Sequence, residues 1–304
     1  MKRAMVLLLL CLLSSSVAFA GKKPPRSPAP ASTPAPTQAP ALALVWTKVG
    51  TVGNVTSNYT PVVQLGGSQI RAFSNSNGVT DGNLYLRVGS WSDVGSASQV
   101  LKIDSPRDDY IRTSAVVQGA SGKYYAILYT GDGYPTQGGY SPSWTTSPDG
   151  YNWTWHGPIG IFGRNQSSAA ALVVDESRTD DYRFMAWIDL WGGLTLMHSA
   201  DGTSWSSDLV NVWPFPNEQP QFVTAAKTLY GYHLIGANAF PATALRHVFS
   251  CTGFPPWQVL ETASPVLAGS TKGTNLVYDA PNDLLHALTS GVHFTSVPRP
   301  HPCQ

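Results

Sequence analysis

Ser147-Pro-Asp-Gly-Tyr-Asn-Trp153 and Ser199-Ala-Asp-Gly-Thr-Ser-Trp205 are two copies of one heptad, S-x-D-G-x-x-W. Each follows a run of strand-like residues. The Asp-Gly pair suits a tight hairpin turn, with Gly taking a positive φ and Asp bonding its own backbone. The Trp then re-enters a strand, where it can pack beneath the turn. Two copies about 52 residues apart predict a repeated sheet unit.

Around the heptads, five segments share one order of elements. Each opens with a short apolar strand, turns, and continues with an aromatic or apolar strand before a longer polar connection. The first strands are Pro61-Val-Val-Gln-Leu, Ser114-Ala-Val-Val-Gln, Ala169-Ala-Ala-Leu-Val-Val, Gln221-Phe-Val-Thr-Ala and Asn275-Leu-Val-Tyr-Asp. The second strands are Gln69-Ile-Arg-Ala-Phe, Lys123-Tyr-Tyr-Ala-Ile-Leu-Tyr, Tyr182-Arg-Phe-Met-Ala-Trp-Ile, Leu229-Tyr-Gly-Tyr-His-Leu-Ile and Leu284-Leu-His-Ala-Leu. First-strand starts recur about every 52 to 55 residues, room for four strands per unit. No stretch has helical periodicity with caps.

The fifth unit ends soon after Val292-His-Phe-Thr-Ser, one strand short, while Leu44-Val-Trp-Thr-Lys-Val reads as an outer strand without a sheet. Pairing the two removes exposed edges. The expectation is an all-β chain: a five-bladed β-propeller of four-stranded antiparallel blades, its ring closed by the N-terminal strand. A pair of β-sandwiches is the alternative, but it gives no reason for five similar units.

The N-terminus has Lys2 and Arg3, an apolar run from Ala4 to Leu13, then Ala18-Phe19-Ala20 before Gly21. This pattern reads as a secretory signal peptide over residues 1–20, too short for a spanning helix. Residues 21–42 are a Pro/Ala/Ser/Thr-rich linker that cannot build a core, leaving 43–304 as the propeller domain. The protein is therefore expected to be secreted or periplasmic, with no membrane span, and a monomer. Charged residues make up 12% and the net charge is +1, which argues against a nucleic-acid partner held through phosphates. Beyond the signal segment, Cys251 and Cys303 make an even pair, and a disulfide between them is favoured over free thiols.

The chain resembles the five-bladed propellers of secreted glycoside hydrolases, the clan of arabinanases and β-xylosidases with invertases and levansucrases. The resemblance lies in the apolar strand, the G-K-Y-Y-x-x-x-Y-T run of Gly122–Thr130 and the S-x-D-G-x-x-W turn, and extends over residues 44–296. The heptads are also similar to the sialidase Asp-box, S-x-D-x-G-x-T-W, although here Gly follows Asp directly and sialidases normally have six blades. In such a fold the heptads turn between third and fourth strands, away from the ligand face. Asp149 and Asp201 are then acceptors within a turn, and Trp153 and Trp205 pack between blades.

The resemblance implies a carbohydrate ligand at the central pore. The edge carrying first-strand starts and second-strand ends would bind it. At that edge stand Asp109 with Arg112, Glu218 with Gln219, Lys272, Tyr129 with Asp132, Asp189 with Trp191, and Asn238. Amides and carboxylates meet sugar hydroxyls, and aromatic faces stack on sugar rings. Hydrolysis needs two carboxyl groups across the bond. The family's base, an Asp before Pro at the first blade, is replaced by Thr60 before Pro61, and the second blade has Arg112-Thr113 at the matching place. An active enzyme would use a rearranged set: Glu218 as acid and Asp189 as base, with Asp109 or Asp132 assisting. Arg112, Tyr129, Asp132, Trp191, Gln219, Asn238 and Lys272 are the substrate-binding candidates. The alternative is a non-catalytic, lectin-like propeller. No cofactor is expected beyond a cation in the channel, as in some relatives. His233 and His286 hold like positions in their second strands, where two histidines could meet a metal; they are read instead as hydrogen-bonded core residues, and no metal site is assigned.

Overall fold

The computed structural model describes residues 44–52, 62–66, 69–75, 83–91, 98–102, 111–130, 141–159, 170–190, 193–209, 212–215, 218, 220–237, 245–261, 274–289 and 291–298. The chain divides into Met1–Ala39 and Pro40–Gln304. The expected signal segment and the linker of 21–42 lie outside the described residues, and every strand belongs to the second unit.

The protein is an all-β propeller with antiparallel four-stranded blades. Strand β1 (Thr47–Thr51) is followed by a sheet of β2 (Val62–Gly66), β3 (Gln69–Asn75), β4 (Asn83–Ser90) and β5 (Ser98–Lys102). The second sheet has β6 (Ile111–Gln118), β7 (Tyr124–Thr130), β8 (Ser141–Ser147) and β9 (Thr154–Pro158). The third has β10 (Ala170–Val174), β11 (Phe184–Leu190), β12 (Gly193–Ser199) and β13 (Ser206–Leu209). The fourth has β14 (Gln221–Lys227), β15 (Tyr232–Ala237), β16 (Leu245–Ser250) and β17 (Gln258–Glu261). The last runs β18 (Thr274–Asp279), β19 (Leu284–Thr289), β20 (Val292–Ser296) and then β1, with Thr47 opposite Thr295 and Thr51 opposite Val292. The first strands touch in turn, β2 on β6, β6 on β10, β10 on β14, β14 on β18 and β18 on β2.

This arrangement explains the lack of polar–apolar alternation in the middle strands. A blade is covered on both faces by its neighbours, so both sets of side chains are apolar or small, as in strands buried on two sides. The stretches Gly193–Ser199 and Tyr232–Ala237 are buried throughout. Among the described residues, apolar side chains gather in five clusters, each spanning two adjacent sheets. Every large side chain fully buried there, such as Trp187, Phe73 or Phe249, contributes roughly 1.5–3 kcal/mol.

Each boundary also carries a tryptophan contact. Trp153 meets Phe73 edge-on at 5.8 Å, Trp205 meets Trp144 at 5.3 Å, and Trp257 meets Trp187 at 6.2 Å. Trp46 meets His247 at 6.1 Å, and Trp91 stacks on His286 at 4.7 Å and on His293 at 4.2 Å. Four of these tryptophans, 46, 153, 205 and 257, stand one residue before an outer strand.

The S-x-D-G-x-x-W turns join third to fourth strands. Ser147 Oγ accepts from the Gly150 N–H at 2.8 Å, and Asp149 Oδ1 accepts from the Tyr151 and Asn152 N–H groups, both at 2.8 Å. Trp153 Nε1 donates to the Gly150 carbonyl at 3.1 Å. The second copy repeats this. Ser199 Oγ takes the Gly202 N–H at 2.8 Å, Asp201 Oδ1 takes those of Thr203 and Ser204 at 2.7 and 2.9 Å, and Trp205 Nε1 donates to Gly202 at 2.9 Å. Both glycines are left-handed, at φ +79° and +78°, a region that costs a side chain energy.

Candidate functional site

Antiparallel pairing sets the starts of first strands beside the ends of second strands and the starts of third strands. Arg112 faces Tyr129 across β6 and β7, Asp189 faces Leu194 across β11 and β12, and Gln221 faces Ala237, which faces Leu245. Arg112, Asp189 and the approach to β14 therefore share the strand-start edge on successive sheets. Only backbone is described for Arg112 and Asp189. Asp109, Asp132, Trp191, Gln219, Asn238 and Lys272 lie outside the described residues, as does Cys303. Cys251 itself is disulfide-bonded.

Glu218 is the candidate whose surroundings are visible. Its carboxylate is held at both oxygens by Arg246, with Nη2 to Oε1 at 2.6 Å and Nε to Oε2 at 3.1 Å. The two side chains keep 21% and 19% of their surface exposed. Arg246 lies 5.1 Å above the Phe215 ring, and Phe215 packs on Trp213 at 5.4 Å. The Glu218 N–H donates to the Phe215 carbonyl at 3.3 Å, closing a turn that delivers the acid to the edge. Glu218 raises the Arg246 guanidinium above its ordinary value. A carboxylate held at both oxygens by one guanidinium is turned toward that partner rather than toward a ligand. The acid role expected of Glu218 would therefore require Arg246 to withdraw.

Arg246, the partner of Glu218, is not singled out by the sequence pattern, because the third strand of this unit carries no motif. Its signal is positional: a cation one residue into a third strand falls beside the start of the first. Tyr129 departs from expectation. It is wholly buried within the cluster joining the second and third sheets, because the residue before the strand end points into the boundary and not toward the pore. It is a core residue.

A concavity lies at the opposite, strand-end edge. A cavity of about 210 Å³ is lined by the last residues of β6, β10, β14 and β18, with Gln118, Lys227 and Tyr278 as its polar side chains. Lys227 is paired with Asp175 of the neighbouring sheet. Around it, Glu176 accepts from Ser121 Oγ and from the Tyr125 hydroxyl, each at 2.7 Å. Burial pushes the Tyr125 hydroxyl up, and the hydrogen bond to Glu176 adds to it, to about 12. Asp283 takes hydroxyls from Tyr278 at 2.9 Å and Tyr230 at 3.0 Å. These contacts tie neighbouring sheets together and leave the edge without free carboxylates among the residues named.

His233 Nδ1 lies 3.1 Å from His247 Nε2, and His286 Nδ1 lies 2.9 Å from His293 Nε2. Each histidine thus bonds the adjacent strand of its own sheet. Among the described residues, no group of three His, Cys, Asp or Glu is placed to hold a metal ion. No helix there is long and apolar enough to cross a membrane.

No family model matches the sequence. No curated protein matches it either. Solved structures do. The native arabinanase of Bacillus subtilis superposes with a TM-score of 0.55 at 14% identity, over 82% of this chain and 95% of that one. A GH43 protein from Bacillus licheniformis gives 0.56 at 13%, over 81% of this chain and 50% of that one. A Hadza microbial sialidase gives 0.53 at 14%, over 78% and 52%. At such identities the likeness establishes the glycoside hydrolase-like propeller fold.

Proposed function

We propose that this is an exported carbohydrate-binding propeller, its five sheets forming five blades of one ring closed by β1, with the ligand at the strand-start edge. The observation that carries the reading is the Glu218–Arg246 pair over Phe215. It gathers carboxylate oxygens, guanidinium N–H groups and an aromatic ring at one partly exposed point of the strand-start edge, group types that suit sugar hydroxyls and the apolar face of a sugar ring. Arg112 and Asp189 belong to the same edge by register. The turns with Asp149 and Asp201 are Asp-box variants on the far side and take no part.

The likeness to proteins named as an arabinanase and a sialidase favours a second reading, hydrolysis at this edge. It requires Asp189 as base and an acid other than a clamped Glu218, for which Asp109 and Asp132 are the candidates. In both readings residues 1–20 direct export, 21–42 tether the domain, and the protein works as a monomer.

One experiment separates them. The full secreted chain is tested on a polysaccharide panel for retention and for release of reducing sugar, alongside Glu218→Gln and Arg246→Met. Retention lost in both variants with no release by the wild type supports binding. Release abolished by Asp189→Asn supports hydrolysis. Neither retention nor release by folded protein overturns both.

A further inference from the structure

The five boundaries differ in chemistry. Three are joined by rings that do not titrate between neutrality and mild acid, Phe73 with Trp153, Trp144 with Trp205, and Trp187 with Trp257. At the third, a buried His198 also stacks on Tyr182, which meets Phe254. The two flanking the last sheet are built on histidine. On one side Trp46 contacts His247, which is hydrogen-bonded to His233; on the other Trp91 lies nearly parallel, at 3° and 11°, over His286 and His293. All four imidazoles are buried, with exposures of 0%, 1%, 6% and 3% for His233, His247, His286 and His293. Each pair has the same diagonal cross-strand relation. His233 is opposite Phe249 and bonds the residue two earlier, and His286 is opposite Thr295 and bonds the residue two earlier. This last sheet also joins the two ends of the domain, since β1 pairs with β20.

We propose that the sheet β18–β19–β20–β1 is an acid-sensitive latch, which loosens from both neighbours when the histidine pairs at its two boundaries take up protons. A neutral pair shares one N–H···N bond. An added proton puts a charge in a dry boundary and, where both rings carry protons on the facing nitrogens, breaks that bond. Most of the charged and titratable groups named here on the surrounding elements already have partners of their own. Asp279 on β18 lies 3.6 Å from His286 Nε2, near enough to offset a charge on that ring, so the cost of protonation falls chiefly on His293; its Oδ2 also accepts from Asn282 at 2.7 Å. Tyr278 on β18 bonds Asp283. Lys227 on β14 is paired with Asp175, and Arg246 on β16 with Glu218. Arg71 on β3 turns to the other boundary, against Tyr124 and Tyr151. Lys48 lies on β1 and Arg87 on β4, and Glu261 of β17 is opposite His247 by register.

The sign follows from burial. It pushes His293 down to about 4, with His286 beside it lowering it further, and lowers His286 despite Asp279. Unfolded histidine titrates near 6.5. The open form therefore binds protons first, and the latch's stability is full above that value and lost as pH falls toward 4. For His293 alone the opening equilibrium rises on the order of 100-fold across that window.

The test is amide exchange of the full chain, as protection factors by segment, from pH 7.5 to 4. Protection of β18–β20 and β1 is expected to fall reversibly below pH 6 before that of β6–β13, and His293→Gln, which cannot be protonated, is expected to blunt the fall. Uniform loss over all sheets, or an unchanged profile in the variant, overturns the proposal. Should the variant fail to fold, imidazole nitrogen resonances of the wild type decide. A midpoint for His293 below 5 supports the latch, and one at 6 or above overturns it.

Discussion

Replacing Gly202 by alanine tests whether the turns are fastened to the neighbouring sheet. The backbone there has φ +78°, and an added Cβ would lie 2.8 Å from Trp144 Nε1 and 2.9 Å from Cε2. Trp144 is 3% exposed, belongs to the preceding sheet and stacks against Tyr125, so it has no room to retreat. The left-handed backbone costs about 1–2 kcal/mol for a residue with a side chain, and crowding a packed core adds about 1–3 kcal/mol. Gly122 is the control. Its φ is +83°, but a Cβ would meet nothing nearer than Gln118 Nε2 at 3.9 Å, so it bears the backbone cost alone. At about 2 °C per kcal/mol for a domain of this size, Gly122→Ala should lower the melting temperature by about 2–4 °C and Gly202→Ala by about 4–10 °C. Differential scanning calorimetry on both variants reads the difference. Equal shifts would refute the argument, because they would mean that the turn does not bear on Trp144.

Hydrogen bonds from the Ser204 and Thr203 N–H groups hold the Asp201 carboxyl well below its usual range, so its stabilisation is present above about pH 4 and is lost as acid protonates it. The urea midpoint of Asp201→Ala should therefore fall short of wild type at pH 6, and by less at pH 3. Removing residues 1–42 should leave the midpoint unchanged. Removing 1–52 takes away β1 and Trp46, 6% exposed, and should cost at least the roughly 3–5 kcal/mol of a buried tryptophan, read by urea unfolding. Glu176→Gln should bring the Tyr125 hydroxyl down from about 12 toward its ordinary value, as followed by the ultraviolet absorbance of phenolate. If the titration does not move, the Glu176 contact is not what holds that proton.

The strands are legible where the sequence pairs an apolar run with a turn. Pro61-Val-Val-Gln-Leu falls on β2, and Leu284-Leu-His-Ala-Leu on β19. A third turn is hidden from the heptad pattern because its chemistry is altered. Ser250-Cys-Thr-Gly-Phe-Pro-Pro-Trp257 has Thr for Asp and one residue more before Trp, yet Ser250 Oγ still accepts from the Gly253 N–H at 3.1 Å. A Ser, a left-handed Gly and a Trp just before a strand are enough for this turn. The histidine partners are not legible. His247 and His293 are reached across strands, and nothing local in the chain marks a diagonal neighbour. The candidate site is legible as an edge and not as contacts. Arg246 lies far from Glu218 in sequence, and only the register of three strands brings them together.

The pairing of β1 with β20 fixes when the protein can be finished. The first described strand to be made bonds the last, so their sheet cannot be completed until nearly the whole chain is available, and contacts this distant in sequence are slow to form. Four sheets can fold as they appear, each local in sequence, while β1 waits with an open edge. A product truncated before β20 would leave β1 with the unpaired edge that invites aggregation.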